Sequence, residues 1–413
     1  MNKRRVVITG LGTINAVGKN VPQTWEGLLK GKSGISRIKT FDITEAYASQ
    51  IAGEVSDFSP EEVFDKRRIK KLDRYTQFAL VATKQAMDDS KLLDYRFNPD
   101  RAGVIIASGI GGIRTLEQEA YKMVNKGPKR ISPFFIPKMI SNIAAAEVAI
   151  EFNLKAINFN ITSACASANH AIGTAFRTIQ CGDADLIISG GAEASVTPLS
   201  VAGFCAMRAL STRNDEPTKA CRPFDKERDG FIMAEGAGII VLEELEHALR
   251  RDVHIYAEIV GYGATCDAYH ITAPAESGEG GARAISMALA DANLKPEQVD
   301  YINAHGTSTP LNDKNETSSI KSVFKDYAYE IKINSTKSMV GHTLGAAAGI
   351  EAIVCCKSIE TNKLHPTTNY ENPDPDCDLN YIPNKTIEKD VKIALSNSLG
   401  FGGHNGVLIF KEI

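Results

Sequence analysis

The sequence predicts an α/β fold, and three patterns in its 413 residues indicate this fold class. Short β-branched apolar runs, typical of buried strands, alternate along the chain with segments whose apolar residues recur at helical spacing. Several of the strands end in glycine-rich turns, as at residues 108–112 and 400–403. A hydrophobic fraction of 43% and this length suit two domains or one large layered domain.

Composition narrows the classes of function. A net charge of −3 provides no general attraction to nucleic acid or to a membrane surface. The eight cysteines form no C-x-x-C pair, which disfavours a disulfide framework or a zinc ribbon and fits a reducing compartment. The first apolar run ends at Gly10, too soon for a signal peptide or a spanning helix. We therefore expect a soluble, cytoplasmic protein with no membrane insertion and no nucleic-acid partner.

The first strand runs directly into Gly-Leu-Gly at residues 10–12. A dinucleotide-binding fingerprint would require a third glycine where Asn15 stands, and no acidic ribose partner is evident. The pattern instead predicts a glycine turn between a strand and a helix.

Residues 66–79 predict an amphipathic helix that turns Ile69, Leu72 and Phe78 inward. Within residues 66–74 six basic side chains accompany a single acid. A solvated charged face is the ordinary explanation, but so uneven a charge also indicates an acidic partner.

Further strands are predicted at residues 102–107 and 184–191. The first runs into the glycine-rich turn 108–112, where the backbone can come close to another segment or to a ligand. Residues 128–137 are irregular and contain three prolines around Phe134 and Phe135.

Cys165 lies at a predicted strand-to-helix junction. Residues 157–163 alternate like a strand, and the small residues after Cys165 are followed by apolar ones at helical spacing. Free N–H groups and the helix dipole stabilise a thiolate at such a position, so Cys165 is a candidate nucleophile. The alternative is a small buried hydrophobic residue, as most free cysteines are.

A second series of strands, at residues 255–263, 299–304 and 391–397, repeats the style of the first. We hypothesise two related halves, residues 1–254 and 255–413. Functional residues collect at the carboxyl ends of strands in α/β proteins, and Cys165, His305, His342 and the glycine loop around Phe401 each follow such an end.

Two histidines near a thiolate allow three interpretations. They could be metal ligands, but the sequence spacing of a preformed zinc site is missing. They could be ordinary core residues. They could also form a pair that donates hydrogen bonds to a developing oxyanion, which the flanking glycine-rich loops favour.

The chain resembles the elongating β-ketoacyl-[acyl-carrier-protein] synthases, most closely type II, over essentially all of its length. The motifs that carry the resemblance are residues 163–167 (Ser-Ala-Cys-Ala-Ser), 208–212, 222–230, 303–310 (Asn-Ala-His-Gly-Thr-Ser-Thr-Pro), 335–342 and 397–405. The resemblance implies a thiolase-like fold with five layers, αβαβα, built from two related halves, and a homodimer.

It also implies a two-stage reaction. Cys165 accepts an acyl group from acyl carrier protein, and malonyl carrier protein then loses carbon dioxide and attacks the resulting thioester. His305 and His342 stabilise the malonyl oxyanion, while the N–H groups of Cys165 and Phe401 hold the other oxyanion. No metal or redox cofactor is implied.

Further residues match supporting positions of the family. Lys337 orients His342 and the surrounding charge, and Glu316 supports Lys337. Thr307 and Thr309 offer hydroxyl groups to the phosphopantetheine arm or bond their own loop. Ile110 lines the far part of the acyl pocket, and Phe135 reaches it, from its own chain or from a partner subunit. The residues expected to dock an acidic carrier protein are Lys66, Arg67, Lys70, Lys71, Lys129, Arg130 and Arg208.

Two residues depart from the commoner family pattern: His404 stands where many relatives have threonine, and Ser163 also replaces a threonine. A thiolase would need a second cysteine in the last loop, and a non-catalytic partner subunit would lack the nucleophile. A synthase of the initiating type would carry asparagine in place of one histidine. A polyketide ketosynthase shares this chemistry and stays open as an alternative.

Overall fold

The computed structural model describes residues 3–413 and confirms the α/β fold class. The strands are β1 (Val6–Asn15), β2 (Ser36–Arg37), β3 (Ile51–Ala52), β4 (Ala102–Ala107), β5 (Asn158–Phe159), β6 (Leu186–Glu193), β7 (Gly236–Glu244), β8 (Ala257–Cys266), β9 (Tyr301–Asn303), β10 (Lys332–Asn334), β11 (Lys363–Leu364), β12 (Ile387–Glu388), β13 (Ile393–Gly400) and β14 (His404–Lys411). The helices are α1 (Val21–Leu29), α2 (Lys66–Ile69), α3 (Arg74–Asp89), α4 (Ile113–Lys126), α5 (Phe135–Met139), α6 (Ile143–Phe152), α7 (Ser167–Cys181), α8 (Pro198–Ala206), α9 (Pro217–Ala220), α10 (Leu245–Arg250), α11 (Glu279–Ala292), α12 (Pro310–Phe324), α13 (Lys337–Val340) and α14 (Ala347–Thr361).

Two five-stranded arrays with the same topology make up the main sheet. Its order is β10-β9-β13-β14-β8-β1-β7-β6-β4-β5, and β1 meets β8 at only three residue pairs. The array β5-β4-β6-β7-β1 has two parallel and then two antiparallel pairings, and β10-β9-β13-β14-β8 has the same pairings in the same sequence. The suspected duplication is therefore present in the strand topology.

Helices cover the two arrays in layers. Helices α7 and α14 pack between the arrays and contact strands of both, whereas α3 and α6 cover the outer face of the first and α11 and α12 that of the second. Because both faces of each array are covered, β6 and β7 are buried at every residue. Phe176 of α7 and Ile353 of α14 lie in the central apolar cluster, where each such side chain contributes about 1.5–3 kcal/mol through burial.

Three predicted elements differ in the structure. Strand β1 continues through Gly10 and Gly12 to Asn15, so the predicted turn at these glycines is wrong. The glycines are needed for close packing, since a Cβ at Gly12 would lie 1.9 Å from the carbonyl oxygen of Ala82 in α3.

The predicted helix over residues 66–79 is two helices, α2 and α3, separated at residues 70–73. Asp73 causes the break, because its carboxylate caps α3 at the N–H of Tyr75 and also accepts bonds from the N–H and hydroxyl of Thr115. Ile69, Leu72 and Phe78 are buried as predicted.

The strand before Cys165 is only two residues long, Asn158–Phe159. Beyond it, side chains replace backbone pairing: Asn160 Nδ2 donates to the carbonyl of Ile106 and Thr162 Oγ1 donates to that of Ser108. No helix within residues 3–413 is both long enough and apolar enough to cross a membrane.

Candidate active site

Cys165 lies on a sharp bend between β5 and α7. Ala164 has a φ of 49°, a left-handed conformation that costs a non-glycine residue on the order of 1 kcal/mol and must be held by its surroundings. The hydroxyl of Ser167 holds it, accepting from the N–H of Ser163 at 2.8 Å and donating to the carbonyl of Ala164 at 2.6 Å. The bend presents the Cys165 side chain toward the second half of the chain.

Both predicted histidines meet the cysteine. His342 Nε2 lies 3.1 Å from Cys165 Sγ, and the His305 and His342 rings are 5.4 Å apart, nearly perpendicular to one another. Both histidines are 2% exposed. The tertiary structure thus brings together three side chains that are up to 177 positions apart in sequence.

The loop after β13 closes over the cysteine. A Cβ at Gly400 would lie 3.1 Å from the Cys165 nitrogen, so only glycine lets the loop come this close without displacement. The N–H groups of Phe401 and of Cys165 itself both stabilise a negative charge on the sulfur and lower the pKa of the thiol. These are the two donors predicted for the second oxyanion.

The predicted stabilisation of a thiolate is nevertheless wrong in its net direction. Burial raises the pKa of the Cys165 thiol to about 11, although the Lys337 charge and the N–H of Phe401 oppose the rise. Cys165 is therefore a neutral thiol at pH 7, and it becomes a nucleophile only when a base takes its proton. His342 Nε2 is in contact with the sulfur and can do so.

Burial, with the nearby Lys337 ammonium, lowers the pKa of both His305 and His342 well below the usual value. Both rings are therefore neutral at pH 7. The Nδ1 atoms of both are buried and have no hydrogen-bond partner among residues 3–413, so the tautomer of His342 depends on the contact between its Nε2 and the Cys165 sulfur. A neutral imidazole in this position can accept the thiol proton or donate one hydrogen bond.

The predicted partner of Lys337 requires a correction. The Lys337 ammonium pairs with Glu351 of α14, not with Glu316, and both members of the pair are 2% exposed. Helix α14 packs between the two arrays, and this position brings Glu351 into contact with Lys337. Nothing in the sequence singled out Glu351, because it lies 14 positions from its partner, within the small and apolar run 347–356.

Glu316 has a different role. Its carboxylate accepts the N–H groups of His305 at 2.7 Å and Gly306 at 2.8 Å, and the amide of Asn397 at 3.2 Å. Burial raises its pKa to about 7 against these three bonds. Glu316 therefore supports the site through the His305 backbone rather than through Lys337.

A cavity of about 580 Å³ leads to the cysteine and histidines. Thr307, Thr309, Ile110 and Phe401 line it. The contacts of the two threonines with the arm and of Ile110 with the acyl chain stay predictions. The Thr307 and Thr309 hydroxyls also bond each other at 2.9 Å, so their local role is present as well. Phe135 does not line this cavity in the single chain, so its predicted contribution depends on a second copy.

Residues 3–248 match the family model of the β-ketoacyl synthase N-terminal domain, and residues 256–371 match that of the C-terminal domain. The chain belongs to the β-ketoacyl synthase family. It is 51% identical over 412 residues to 3-oxoacyl-[acyl-carrier-protein] synthase 2 of Synechocystis sp., covering 100% of this chain and 99% of that protein. It is also 51% identical over 409 residues to the protein of the same name from Staphylococcus aureus strain COL, covering 99% of this chain and 98% of that one.

Solved structures of other ketosynthases superimpose closely on this synthase. One is a ketosynthase of a type II polyketide synthase, bound to a hexaketide and in complex with its acyl carrier protein, with a TM-score of 0.92, 39% identity and 100% of both chains covered. Another is a β-ketoacyl synthase from Burkholderia phymatum, with a TM-score of 0.93, 34% identity, and 99% of this chain and 100% of that one covered. The predicted family, thiolase-like fold and enzyme class, a carbon–carbon-bond-forming acyltransferase, are confirmed.

Seven basic residues of the synthase, predicted to dock a carrier protein, are all exposed: Lys66, Arg67, Lys70, Lys71, Lys129, Arg130 and Arg208. Arg208 lines the cavity that leads to Cys165. By contrast, Arg68 and Arg74 of the same basic segment are half-buried and paired with Glu147 and Glu235. The exposed residues therefore carry charge that is available to a partner.

A metal ion is the remaining alternative for the central cluster. Cys165 Sγ and one nitrogen from each histidine lie within 4.8 Å of one another, a donor set that zinc accepts. The Lys337 ammonium, which already disfavours the charged histidines, also opposes a second cation. Hydrogen-bond donation is therefore the preferred interpretation of the pair.

Other residues of the site escaped sequence reasoning. The Phe231 ring packs edge-on against His342 at 5.4 Å, and His170 Nδ1 bonds the hydroxyl of Ser163 at 2.7 Å. His404, one of the two departures from the family pattern, lies edge-on to His170 at 6.4 Å and outside the cavity lining. A single aromatic residue or histidine does not indicate from the sequence which residues it contacts, because those contacts form only when distant segments pack together.

Proposed function

We propose that this synthase condenses an acyl-[acyl-carrier-protein] with malonyl-[acyl-carrier-protein], releasing carbon dioxide and forming 3-oxoacyl-[acyl-carrier-protein] in fatty acid elongation. The observation that carries the proposal is the meeting of Cys165, His305 and His342 at the base of one cavity. Full-length identity of 51% to relatives named 3-oxoacyl-[acyl-carrier-protein] synthase 2 supports the choice of pathway.

In the first step the Cys165 thiol gives its proton to His342 Nε2 as the sulfur attacks the acyl thioester. The tetrahedral oxyanion is held by the N–H groups of Phe401 and Cys165. It collapses by expelling the pantetheine thiolate, which takes the proton back from His342. Removal of one such oxyanion donor typically costs 10²–10³-fold in rate, or about 3–4 kcal/mol.

In the second step the malonyl carboxylate leaves as carbon dioxide, and its bonding electrons move onto the thioester as an enolate. Neutral His305 offers one N–H to that oxygen, and His342 offers its Nε2–H once the ring proton has exchanged from Nδ1, which no residue within 3–413 binds. The enolate carbon then attacks the acyl group on Cys165, and the cysteine sulfur leaves as a thiolate that takes a proton from water to restore the thiol. Burial keeps both rings neutral, and the charge of Lys337, which is paired with Glu351, acts in the same direction.

We propose a division of labour between the halves. Residues 1–254 supply the nucleophile and the acyl pocket, and residues 255–413 supply the histidine pair and the oxyanion loop. The acyl groups arrive on the phosphopantetheine arm of the carrier protein, so the scheme needs no metal or redox cofactor. Thr307 and Thr309, at the cavity wall, are the proposed contacts of the arm.

The acidic carrier protein is proposed to dock on the exposed basic residues named above, with Arg208 at the mouth of the cavity. Opposite charges steer association even when the net charge of the enzyme is negative.

A homodimer is also proposed. Helix α4 leaves Tyr121 and Val124 69% and 84% exposed, an apolar surface that a second copy would cover. A second copy would also be the source of Phe135 for the acyl pocket. We expect the enzyme to work in the cytoplasm.

A reconstituted condensation tests the proposal. Purified enzyme is mixed with a series of acyl carrier proteins carrying acyl chains and with malonyl carrier protein, and the products are measured by mass spectrometry. A single condensation per saturated acyl chain supports fatty acid elongation. Repeated condensation without reduction, giving a poly-β-keto chain, would support the polyketide alternative suggested by the hexaketide-bound neighbour. Absence of any 3-oxoacyl product would contradict both.

A further inference from the structure

Glu193 is a fully buried carboxylate that the reaction scheme does not use. It ends strand β6 and has no exposed surface. Burial raises its pKa, while several N–H donors oppose the rise. A buried carboxyl group is costly unless its oxygens accept hydrogen bonds.

Three segments donate to this one carboxylate. Gly109 N donates to Oε2 at 2.7 Å, Ile110 N donates to Oε1 at 3.4 Å, and the Ser108 hydroxyl donates to Oε1 at 3.2 Å. Gly345 N donates to Oε2 at 3.1 Å, and the Ser195 hydroxyl donates to Oε1 at 3.0 Å. The donors come from the turn after β4, the segment after His342 and the segment just beyond β6.

The first two of these segments are also in direct backbone contact. A Cβ at Gly345 would lie 2.2 Å from the Gly109 nitrogen and 2.9 Å from Glu193 Oε2. A Cβ at Gly109 would lie 2.9 Å from the same oxygen. Both positions therefore need glycine. The carboxylate of Glu193 thus binds two backbone segments, at Gly109 and Gly345, that are in direct contact with each other.

The turn held in this way carries Ile110, which lines the cavity and is 39% exposed. We propose that Glu193 is a positioning residue that sets acyl-chain selectivity by fixing the backbone from which Ile110 reaches into the cavity. This inference rests on the proposed function, because it assumes that the acyl chain on Cys165 runs past Ile110. On this assumption a short acyl chain ends before it reaches Ile110. A long acyl chain passes only if the Ile110 side chain rotates while its backbone stays fixed.

Glu193→Gln tests the inference with little change in shape. In the unmodified chain these donors face carboxylate oxygens. In the variant some of them face an NH₂ group, which cannot accept a hydrogen bond, so the turn loses contacts and Ile110 loses its defined position. We expect the ratio of kcat/KM for ten-carbon over four-carbon acyl carrier proteins to fall at least tenfold. The control is Glu243→Gln, because Glu243 is equally buried but lies opposite Leu186, at the other end of β6. Its carboxylate bonds Arg251, His247 and Thr9 and contacts neither the turn after β4 nor Gly345.

A double variant separates positioning from general damage. In an Ile110→Ala background the chain-length ratio should change less than twofold on adding Glu193→Gln, because the side chain through which Glu193 acts is gone. Unfolding midpoints of all variants are measured in parallel, and a loss of stability shared with Glu243→Gln is expected.

An unchanged or increased ratio in Glu193→Gln would overturn the inference, as would an equal fall in Glu243→Gln or in the Ile110→Ala background. Failure of the proposed function is seen separately, because the unmodified enzyme would then make no 3-oxoacyl product from any chain length.

Discussion

The two halves of the synthase use the same strand order for different purposes. In each half the loop after the first parallel strand is held by a buried carboxylate that accepts two consecutive backbone N–H groups. Glu193 holds Gly109 and Ile110 after β4, and Glu316 holds His305 and Gly306 after β9. The first loop shapes the cavity, whereas the second presents a histidine to it.

The difference lies in where each carboxylate originates. Glu193 ends a neighbouring strand of its own array, whereas Glu316 lies on the covering helix α12. The duplicated framework therefore sets where a loop emerges, and the loop residues decide its chemistry. Carboxyl ends of parallel strands meet at one edge of a sheet, so two copies placed face to face bring both sets of loops to one site.

The largest expected effect distinguishes the role of the predicted nucleophile, Cys165, from that of the two histidines. Cys165→Ala should abolish condensation, by about 10⁴-fold or more, while leaving malonyl decarboxylation measurable because both histidines remain. His305→Ala or His342→Ala should lower decarboxylation about 10²–10³-fold. Carbon dioxide release and 3-oxoacyl formation are followed together, with Cys181→Ala, an exposed thiol outside the cavity, as the control. Product formation by Cys165→Ala would remove it as the nucleophile.

The acyl pocket of the first half is tested by Ile110→Phe. Acylation by chains longer than about six carbons should fall progressively, since each buried methylene contributes about 0.8 kcal/mol, and short chains should be spared. Acyl-enzyme is measured by mass spectrometry across a chain-length series. Leu249→Phe, an exposed position on α10, is the control. An unaltered length profile in a folded Ile110→Phe enzyme would place the pocket elsewhere.

Carrier docking is assigned to the surface of the first half. Lys70→Glu with Lys71→Glu should raise the apparent KM for carrier-bound substrate about tenfold, and added salt should act in the same direction. Activity on a free pantetheine thioester should stay within about twofold, because no carrier is involved. Reversal of the exposed Lys385 and Lys411 serves as the control, with Lys411 at the far end of β14. A matching loss on both substrates would indicate misfolding instead.

The smallest expected effect concerns Glu316. Its pKa of about 7 exceeds the usual glutamate value of 4.5, so the folded chain binds this proton more tightly than the unfolded chain does. Its stabilising contribution is then complete below about pH 4.5 and is lost as the pH rises through about 7, up to about 3 kcal/mol. Urea unfolding at pH 5 and pH 7.5 should show a smaller difference in Glu316→Gln than in the unmodified chain. The exposed Glu412→Gln should keep the full difference; identical pH dependence in both variants would refute the assignment.

Much of the fold was predictable because local patterns carry it. Alternating strands and helices and glycine-rich strand ends were read directly from the sequence, and the layered arrangement followed from the resemblance. Helix breaks were less accessible: Asp73 divides the basic segment because it also binds Thr115, and that contact comes from another helix. The same holds at Gly12, where the strand continues because α3 packs against it too closely for a side chain.

The sequence by itself determined the family and predicted which groups react. Cys165, His305 and His342 lie in motifs whose residue types are required by the chemistry. Only the tertiary structure decided the pKa values and the charge partners of those groups. Burial, not local sequence, raises the pKa of the Cys165 thiol and keeps both histidines neutral. The partners of the buried charges, Glu351 for Lys337 and the His305 backbone for Glu316, depend on which helices pack together. Desolvation and long-range pairing are properties of the packed chain, so no short stretch of sequence encodes them.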